Sequence, residues 1–489
     1  MVRTDRVPSQ VRGITGFGAY IPRLRIPRSE IVAAHRWMLP KARADGEKAF
    51  CSWDEDAVTM AVEAARAALS GCTHSIDSIA VASTTMPNVD MQHSAVIASV
   101  AGLDSDIRSR DFGFSQRAGT SAFISEIARM DAGVLLLASD NLLAKPASPD
   151  ELWYGAGAAA LTLGAGDILA RFCASESTSS PMIDHFRKAG SNFDYHWEER
   201  WVRDEGYGKV VTTTISRLLE KNEVDIRDVK FLACGLPGRG AASTLARQIG
   251  FCNELSEPLK DRCGFAGVAD PLLNLIGVLE RANAGDLILV VGFGQGCDAI
   301  MLEAMPALET YRSSNGLAHA LQRGMQTHSY LRMLSFQGIF EPDWGMRSEK
   351  EVRTALTELY RSVDQIWKFE AGRCSSCGTL QFPQLAYCVS CQAPASQFTP
   401  CSLADKQGNL LTYTADWLTY HPSPPLCAGF VQFGNELRLL MEIVDVDPES
   451  LSEGLPVRMV FRIKDRDRLR GWTRYFWKAT PLLNAGEDS

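Results

Sequence analysis

The chain has 489 residues, of which 46% are hydrophobic and 22% charged, with a formal net charge of −8. That length exceeds what one compact core fills and asks for two or three domains, and the acidic balance argues against a general affinity for nucleic acid. The longest apolar runs, such as 287–291, are far too short to span a bilayer, and residues 1–17 carry arginines without the apolar run of a secretion signal.

A pattern repeats along the first 300 residues. VTMAVEAARAAL (58–69) and VTTTISRLLEKN (211–222) both have helical spacing. Each is followed by a short strand, DSIAVAS (77–83) and DVKFLAC (228–234). Each half then reaches an Ala-Gly pair, Ala132-Gly133 and Ala284-Gly285, that leads into VLLLASD or DLILVVGFG. The offset stays between 151 and 153 residues. Continuous Val/Leu/Ile strands with helices between them imply sheets covered on both faces. Two similar α/β halves about a pseudo-twofold axis are therefore expected. Residues 349–367 have helical spacing (Val352, Leu356, Leu359, Val363, Ile366) and read as a connector.

Beyond it the chain turns to metal spacing and then to short β-rich runs. Cys374, Cys377, Cys388 and Cys391 form CxxC-x10-CxxC. Two such knuckles supply four thiolates in tetrahedral geometry, which suits a structural zinc ion and leaves no open ligand position for catalysis. Gly378 permits the tight turn that a knuckle needs. The 13 cysteines are an odd number, and with four of them at metal spacing they fit reduced thiols in the cytoplasm better than a disulfide framework. Runs at 410–416, 427–433, 437–444 and 457–463, punctuated by Gly408, Gly434-Asn435 and Gly454, are expected of a small β-barrel.

Residues 10–345 resemble the thiolase superfamily, and within it the 3-hydroxy-3-methylglutaryl-CoA synthase branch in its archaeal style. The strings that carry the likeness are GITGFGAYIPRLRI (13–26), DEDAVTMAVEAARAAL (54–69), AGTSA (118–122), GDLILVVGFGQGCD (285–298) and SYLRMLSFQGI (329–339). The part from about residue 367 to 482 is similar to the zinc-ribbon and OB-fold proteins that accompany such enzymes. The resemblance implies a duplicated, five-layered thiolase-like α/β fold at 1–345, a helical linker at 346–372, a zinc ribbon at 373–395 and an OB-fold at 396–489. It also implies an acyl thioester on CoA or a carrier protein as substrate, a homodimer, and a catalytic partner protein as a further possibility.

The same resemblance puts the family's polar positions in doubt here. Counting back from Thr120 places Gln116 where a nucleophilic cysteine is expected, and a carboxamide cannot form a thioester. Ser115 beside it is expected on a strand, pointing the other way. The acidic general base falls in Ser83-Thr84-Thr85-Met86-Pro87, the histidine at Gly235 and the asparagine at Phe265. Thr84, Gly235, Phe265 and Arg187 are therefore the substrate-binding candidates.

Tyr154, Tyr207 and His196 are candidates for chemistry without an acyl-enzyme, by analogy with relatives that decarboxylate or perform aldol reactions. Cys234, Cys263 and Cys297 are alternative thiols near the site loops. Three functions stay open. The first is an enzyme that forms or breaks a carbon–carbon bond or transfers an acyl group without the usual cysteine. The second is a non-catalytic scaffold that binds a thioester or a partner. The third is nucleic-acid binding through the basic, aromatic run RIKDRDRLRGWTRYFWK (462–478). Arg187, Lys188, Arg200 and Arg203 lie where the family builds its substrate entrance, and a solvated charged face reads equally well.

Overall fold

Strands from both halves of the repeat join into one ten-stranded sheet in the computed structural model, which describes residues 11–129, 132–238, 240–311, 316–344 and 354–482. In chain order they are β1 (Gly13–Tyr20), β2 (Ile76–Ala82), β3 (Arg108–Phe112), β4 (Gly133–Asn141), β5 (Ala156–Gly164), β6 (Ala170–Ser179), β7 (Val229–Gly235), β8 (Glu254–Ser256), β9 (Leu287–Phe293) and β10 (Gly296–Ala304). Across the sheet they run β8-β7-β9-β10-β6-β1-β5-β4-β2-β3. Counted inward from either edge, the halves read β3-β2-β4-β5-β1 and β8-β7-β9-β10-β6, which is one permutation used twice. They meet where β1 pairs antiparallel with β6.

Helices complete the layers. α1 (Ala57–Leu69) covers β1, β4 and β5, and α3 (Thr212–Lys221) covers β6 and β10. α2 (Ala118–Arg129) and α4 (Asp270–Leu279) touch each other and strands of both halves, so they form the middle layer of five. Every residue of α4 is buried, including the polar Asp270 and Asn274. β5 is likewise buried along its whole length, which explains why its sequence does not alternate.

The described chain divides into two compact units, Met1–Ser52 with Asp56–Ala98 and Leu103–Met333, and Trp53–Glu55 with Ser99–Gly102 and Leu334–Ser489. In the second unit the expected connector helix is two short ones, Leu356–Arg361 and Val363–Ile366, broken at Ser362; positions 349–353 lie outside the described residues. A three-stranded ribbon follows, with β11 (Glu370–Cys374) between β12 (Leu380–Gln381) and β13 (Phe398–Ser402). The barrel sheet runs β16-β15-β14-β17-β18, built from β14 (Gly408–Asp416), β15 (Leu426–Phe433), β16 (Leu437–Glu442), β17 (Pro456–Asp467) and β18 (Trp472–Pro481).

The fifth barrel strand, β18, lies in the basic run, and most of the cations of that run are paired. Arg474 pairs with Asp465, Arg470 with Asp467, Arg468 with Glu341 and Arg462 with Asp445. Tyr475 and Trp477 are buried in the barrel core. These side chains serve the barrel's own ion pairs and packing, while Trp472 and Phe476 stay half-buried.

Lys478, 3% exposed, donates within this unit to Asp54 Oδ2 at 3.0 Å and Glu442 Oε1 at 2.8 Å. Burial alone would raise the Glu442 carboxyl, but the Lys478 ammonium and the His421 ring hold it down to about 2, against an ordinary value of 4.5. A carboxyl depressed by folding stabilises fully above its unfolded pKa and loses that contribution as pH falls through the folded value. Thermal unfolding of the full chain should therefore show stability falling between pH 5 and pH 2. Glu442→Gln should flatten that limb and lower stability at pH 7, by about 1–3 kcal/mol for a lost charged hydrogen bond.

Candidate functional site

Two buried carboxylates shape the first unit's interior between the halves. Asp140, the penultimate residue of β4, is fully buried. Its Oδ1 accepts from Ser83 Oγ (3.0 Å), Thr84 N (2.8 Å) and Thr85 Oγ1 (2.9 Å), and its Oδ2 from Thr84 Oγ1 (3.0 Å) and Val268 N (3.0 Å). The string that the resemblance assigns to the acidic base is thus a set of hydroxyls wrapped around an aspartate. Burial raises the Asp140 carboxyl, and the five donors pull it back. Gly267 is required beside it, since φ is +60° there and a Cβ would stand 2.3 Å from Asp140 Oδ2. Asp298 on β10 does the same work for α2, accepting from Arg117 Nη1 (3.0 Å), Thr120 Oγ1 (3.1 Å), Ser121 Oγ (2.5 Å) and Ser177 Oγ (2.7 Å).

Gln116 lies in the turn between β3 and α2, is 3% exposed, and its Oε1 has no hydrogen-bond partner among the described residues. Ser115 is not on a strand, as expected from the sequence, but in the same turn, where its hydroxyl donates to Gly294 O at 2.8 Å. The turn seats α2 against the end of β9: a Cβ on Gly294 would meet Gln116 N at 3.0 Å, and one on Gly292 would meet Thr120 Oγ1 at 2.3 Å. Gly292 pairs with Gly235 at the end of β7. A Cβ on Gly235 would stand 2.5 Å from Pro271 Cδ, at the start of α4, so no side chain fits there without displacing that helix.

On the other side, Tyr154, His196, Thr84, Arg187 and Phe265 are brought together. Tyr154, 2% exposed, donates to Asp194 Oδ2 at 3.0 Å and lies 3.0 Å from His196 Nε2. Arg187 donates to Asp194 Oδ1 at 3.1 Å and to Thr84 O. His196 also lies 3.3 Å from Asp150 Oδ2. The Tyr154 and Phe265 rings pack with centroids 6.4 Å apart, and their backbones bridge. Burial, then the charges of Asp194 and Asp150, push the Tyr154 hydroxyl well above its ordinary range, so it is a hydrogen-bond donor and a poor base. Arg187, held by two protein acceptors, is committed to positioning this cluster.

Tyr207 does not join it. It sits among the apolar residues behind β7 and β9, with its hydroxyl donating to Pro237 O at 2.5 Å and its ring edge-on to Phe293. Burial raises all three alternative thiols, Cys263 to about 11 and Cys234 and Cys297 further. A thiol nucleophile needs its pKa lowered, and burial shifts all three the other way. A cleft opens between the end of β7 and the start of α4, lined among others by Cys234, Leu236, Glu257, Phe265, Asp270 and Asn274. Gln116 lies outside its wall.

In the second unit, the four Sγ atoms of Cys374, Cys377, Cys388 and Cys391 all lie within 4.8 Å of one another, with 3.6 Å between Cys374 and Cys391 and between Cys377 and Cys388. Those pairs are far too long for disulfides. They match the edge of a tetrahedron with metal–sulfur bonds of about 2.3 Å. Both knuckles close with an amide bonded back to the leading cysteine, Gly378 N to Cys374 O (2.8 Å) and Gln392 N to Cys388 O (3.1 Å), and both closing residues have positive φ. The four cysteines can hold a metal ion.

The hydroxymethylglutaryl-CoA synthase of Aeropyrum pernix is 30% identical to this chain over 321 residues, which are 62% of this chain and 88% of that protein. The chain belongs to the hydroxymethylglutaryl-CoA synthase family. Among solved structures, an HMG-CoA synthase complexed with CoA matches with a TM-score of 0.57 at 17% identity, over 70% of this chain and 95% of that one. The curacin-pathway HMG synthase in complex with acetyl donor-ACP matches at 0.58 and 16%, over 68% and 90%. These two show a shared fold. Residues 403–462 match the model of the ChsH2 C-terminal OB-fold domain. No helix among the described residues is long and apolar enough to cross a membrane.

Sequence reasoning missed Asp140, Asp194, Asp270, Asn274 and Asp298. The available signal was an acid closing or interrupting an apolar run, as in VLLLASD (134–140) and GVADPLLN (267–274). Removing the Asp140 carboxylate strands five buried donors. Asp140→Ala is expected to cost about 3–5 kcal/mol, the scale for breaking a buried charged network, measured by urea denaturation.

Proposed function

We propose that the first unit binds an acyl thioester, on CoA or a carrier protein, in the cleft beside Phe265, and forms or breaks a carbon–carbon bond or transfers an acyl group without a cysteine nucleophile. The observation that carries this reading is the cleft's position between the end of β7 and the start of α4, where the family resemblance puts a histidine at Gly235 and an asparagine at Phe265. That the site works without the usual thiol is supported by Gln116, whose carboxamide oxygen is buried without a partner among the described residues, and by the raised thiols of Cys234, Cys263 and Cys297. The cleft is partly open and carries Lys260 as well as Glu257 and Asp270, and a cation beside a thioester carbonyl would stabilise the charge that develops there. The positioning cluster of Tyr154, Asp194, His196 and Arg187 would fix the wall beside Thr84 and Phe265.

The homodimer expected of the family has support in Phe114, fully exposed at φ +66° next to the edge strand β3, and in exposed Val89. An apolar side chain held open in a strained backbone conformation is a feature that a second copy would cover. The scaffold reading is favoured by one observation, that Phe265 lines the cleft while Gln116 lies outside it.

Mass spectrometry of acetyl-, malonyl-, acetoacetyl- and 3-hydroxyacyl-CoA incubated with the protein, with binding measured in parallel, separates the two. Turnover that persists in Cys234→Ala, Cys263→Ala and Cys297→Ala is the expected result. Loss of turnover in any one of them would return the chemistry to a thiol. Binding without turnover of any thioester would establish the scaffold.

We further propose that the four cysteines hold one structural zinc ion. The ribbon has three short strands and little core, so the metal's binding energy would serve as folding energy. Treatment with a strong chelator should release one zinc per chain and lower the unfolding temperature of the second unit, and Cys388→Ser should reproduce both effects. Full stability with no metal released would exclude the site.

A further inference from the structure

We propose that Asp270 is the proton-transfer group of this cleft, taking a proton from the α-carbon of the bound acyl thioester and returning it to the product. The inference rests on the thioester reading above. In the step itself the α-carbon–hydrogen bond breaks, its electron pair passes into the enolate of the thioester, and the proton bonds to a carboxylate oxygen of Asp270. In the reverse direction that O–H bond breaks as the carbon–hydrogen bond forms.

Asp270 opens the first turn of α4, is 6% exposed and lines the cleft. Its Oδ2 accepts from Ala266 N at 3.0 Å and its Oδ1 from Asn274 Nδ2 at 2.8 Å. The same Asn274 amide also donates to Cys234 O at 3.1 Å. Two acceptors fix the amide's orientation, which leaves Asn274 Oδ1 buried without a partner among the described residues. Both oxygens of Asp270 are thus held in place at the wall of the cleft by an amide and a side-chain donor.

Position matters as much as the hydrogen bonds. The backbone at Gly235, where a family histidine is expected, abuts Pro271, the residue after Asp270. The Pro271 ring fills the space beside Gly235, and Asp270, one residue before it, lines the same cleft. Burial lifts its pKa to about 7, with Ala266 N and Asn274 pulling it back and Glu257 adding to the rise. The other charged or titratable groups of the cleft region are Lys260, which lines the cleft and lies 3.4 Å from Glu257, and the raised thiols Cys234 and Cys263. A group titrating near neutrality can accept and return a proton in one cycle.

The test is α-hydrogen exchange with solvent. Acetyl-CoA and propionyl-CoA are incubated with the full-length protein in D2O across a pH series, deuterium incorporation is read by mass spectrometry, and binding of both is measured on the same preparations by calorimetry. The wild type should catalyse exchange that rises with pH to half its maximum near pH 7. Asp270→Asn should bind the thioesters but lose at least about 10²-fold of the exchange rate. Asn274→Ala removes a donor that favours the charged carboxylate, so it should move the midpoint to higher pH, a shift that a merely structural role would not produce. Thioester binding with no exchange by the wild type, or equal exchange by folded Asp270→Asn, would overturn the assignment. Absence of binding by the wild type is a separate result, and it would overturn the thioester reading and this inference with it.

Discussion

The interior of the first unit depends on where Asp140 can put a negative charge. A carboxylate removed from water must recover its hydration from the protein, and Asp140 does so by drawing in Ser83, Thr84 and Thr85 from the end of β2 and Val268 from the turn before α4. Those segments belong to different parts of the repeat. One side chain therefore fixes the distance between the first half's strand ends and the second half's central helix. Arg187, which donates to Thr84 O and Asp194, extends the constraint outward to Tyr154 and His196. Asp298 plays the matching part on β10, tying Arg117, Thr120 and Ser121 of the α2 entry to Ser177 of β6.

Much of this architecture was legible in the sequence because it follows from periodicity and spacing. The repeat at 58–69 and 211–222 becomes α1 and α3, and the two Ala-Gly pairs lead into β4 and β9, with the strand permutation preserved. The CxxC pairs become knuckles with their sulfurs gathered. The carboxylates were not legible, since a single acid in an apolar run looks like the end of an element until the residues around it are known. Tyr207 illustrates the converse: a tyrosine among charged residues in the sequence, it is buried in the apolar cluster packed on β7 and β9. β18 was obscured because its basic residues suggested a surface, whereas tertiary pairing of Arg474 with Asp465 and of Lys478 with Asp54 and Glu442 allows those cations to sit on a barrel strand.

Charge in the second unit is arranged for closure. Lys478 and Arg462 are 3% and 1% exposed, each facing more than one carboxylate. Buried pairs of this kind contribute little net stability compared with apolar packing, yet breaking one leaves an uncompensated charge. They therefore select one barrel arrangement over others more than they deepen it. The ribbon has the opposite problem, too small a core, and four sulfurs in a tetrahedral cluster are the usual remedy for it.

The first unit's chemistry follows from what burial does to each kind of acid. Desolvation opposes the charged form of thiols and carboxyls alike, so the same enclosure acts on Cys234, Cys263 and Asp270 together. A thiol starts near 9 and moves away from neutrality, to about 11 for Cys263, so its thiolate becomes scarce. A carboxyl starts near 3.8 and moves toward neutrality, to about 7 for Asp270. One environment thus disables nucleophilic sulfur while tuning a carboxylate for proton transfer. Covalent acyl transfer would require an opposing feature, a cation or an unobstructed helix terminus aimed at a sulfur, and Gln116 at the entry to α2 holds that place with a carboxamide. If the proposed thioester site is correct, these opposite shifts would favour chemistry at the carbon next to the carbonyl over chemistry at the carbonyl itself.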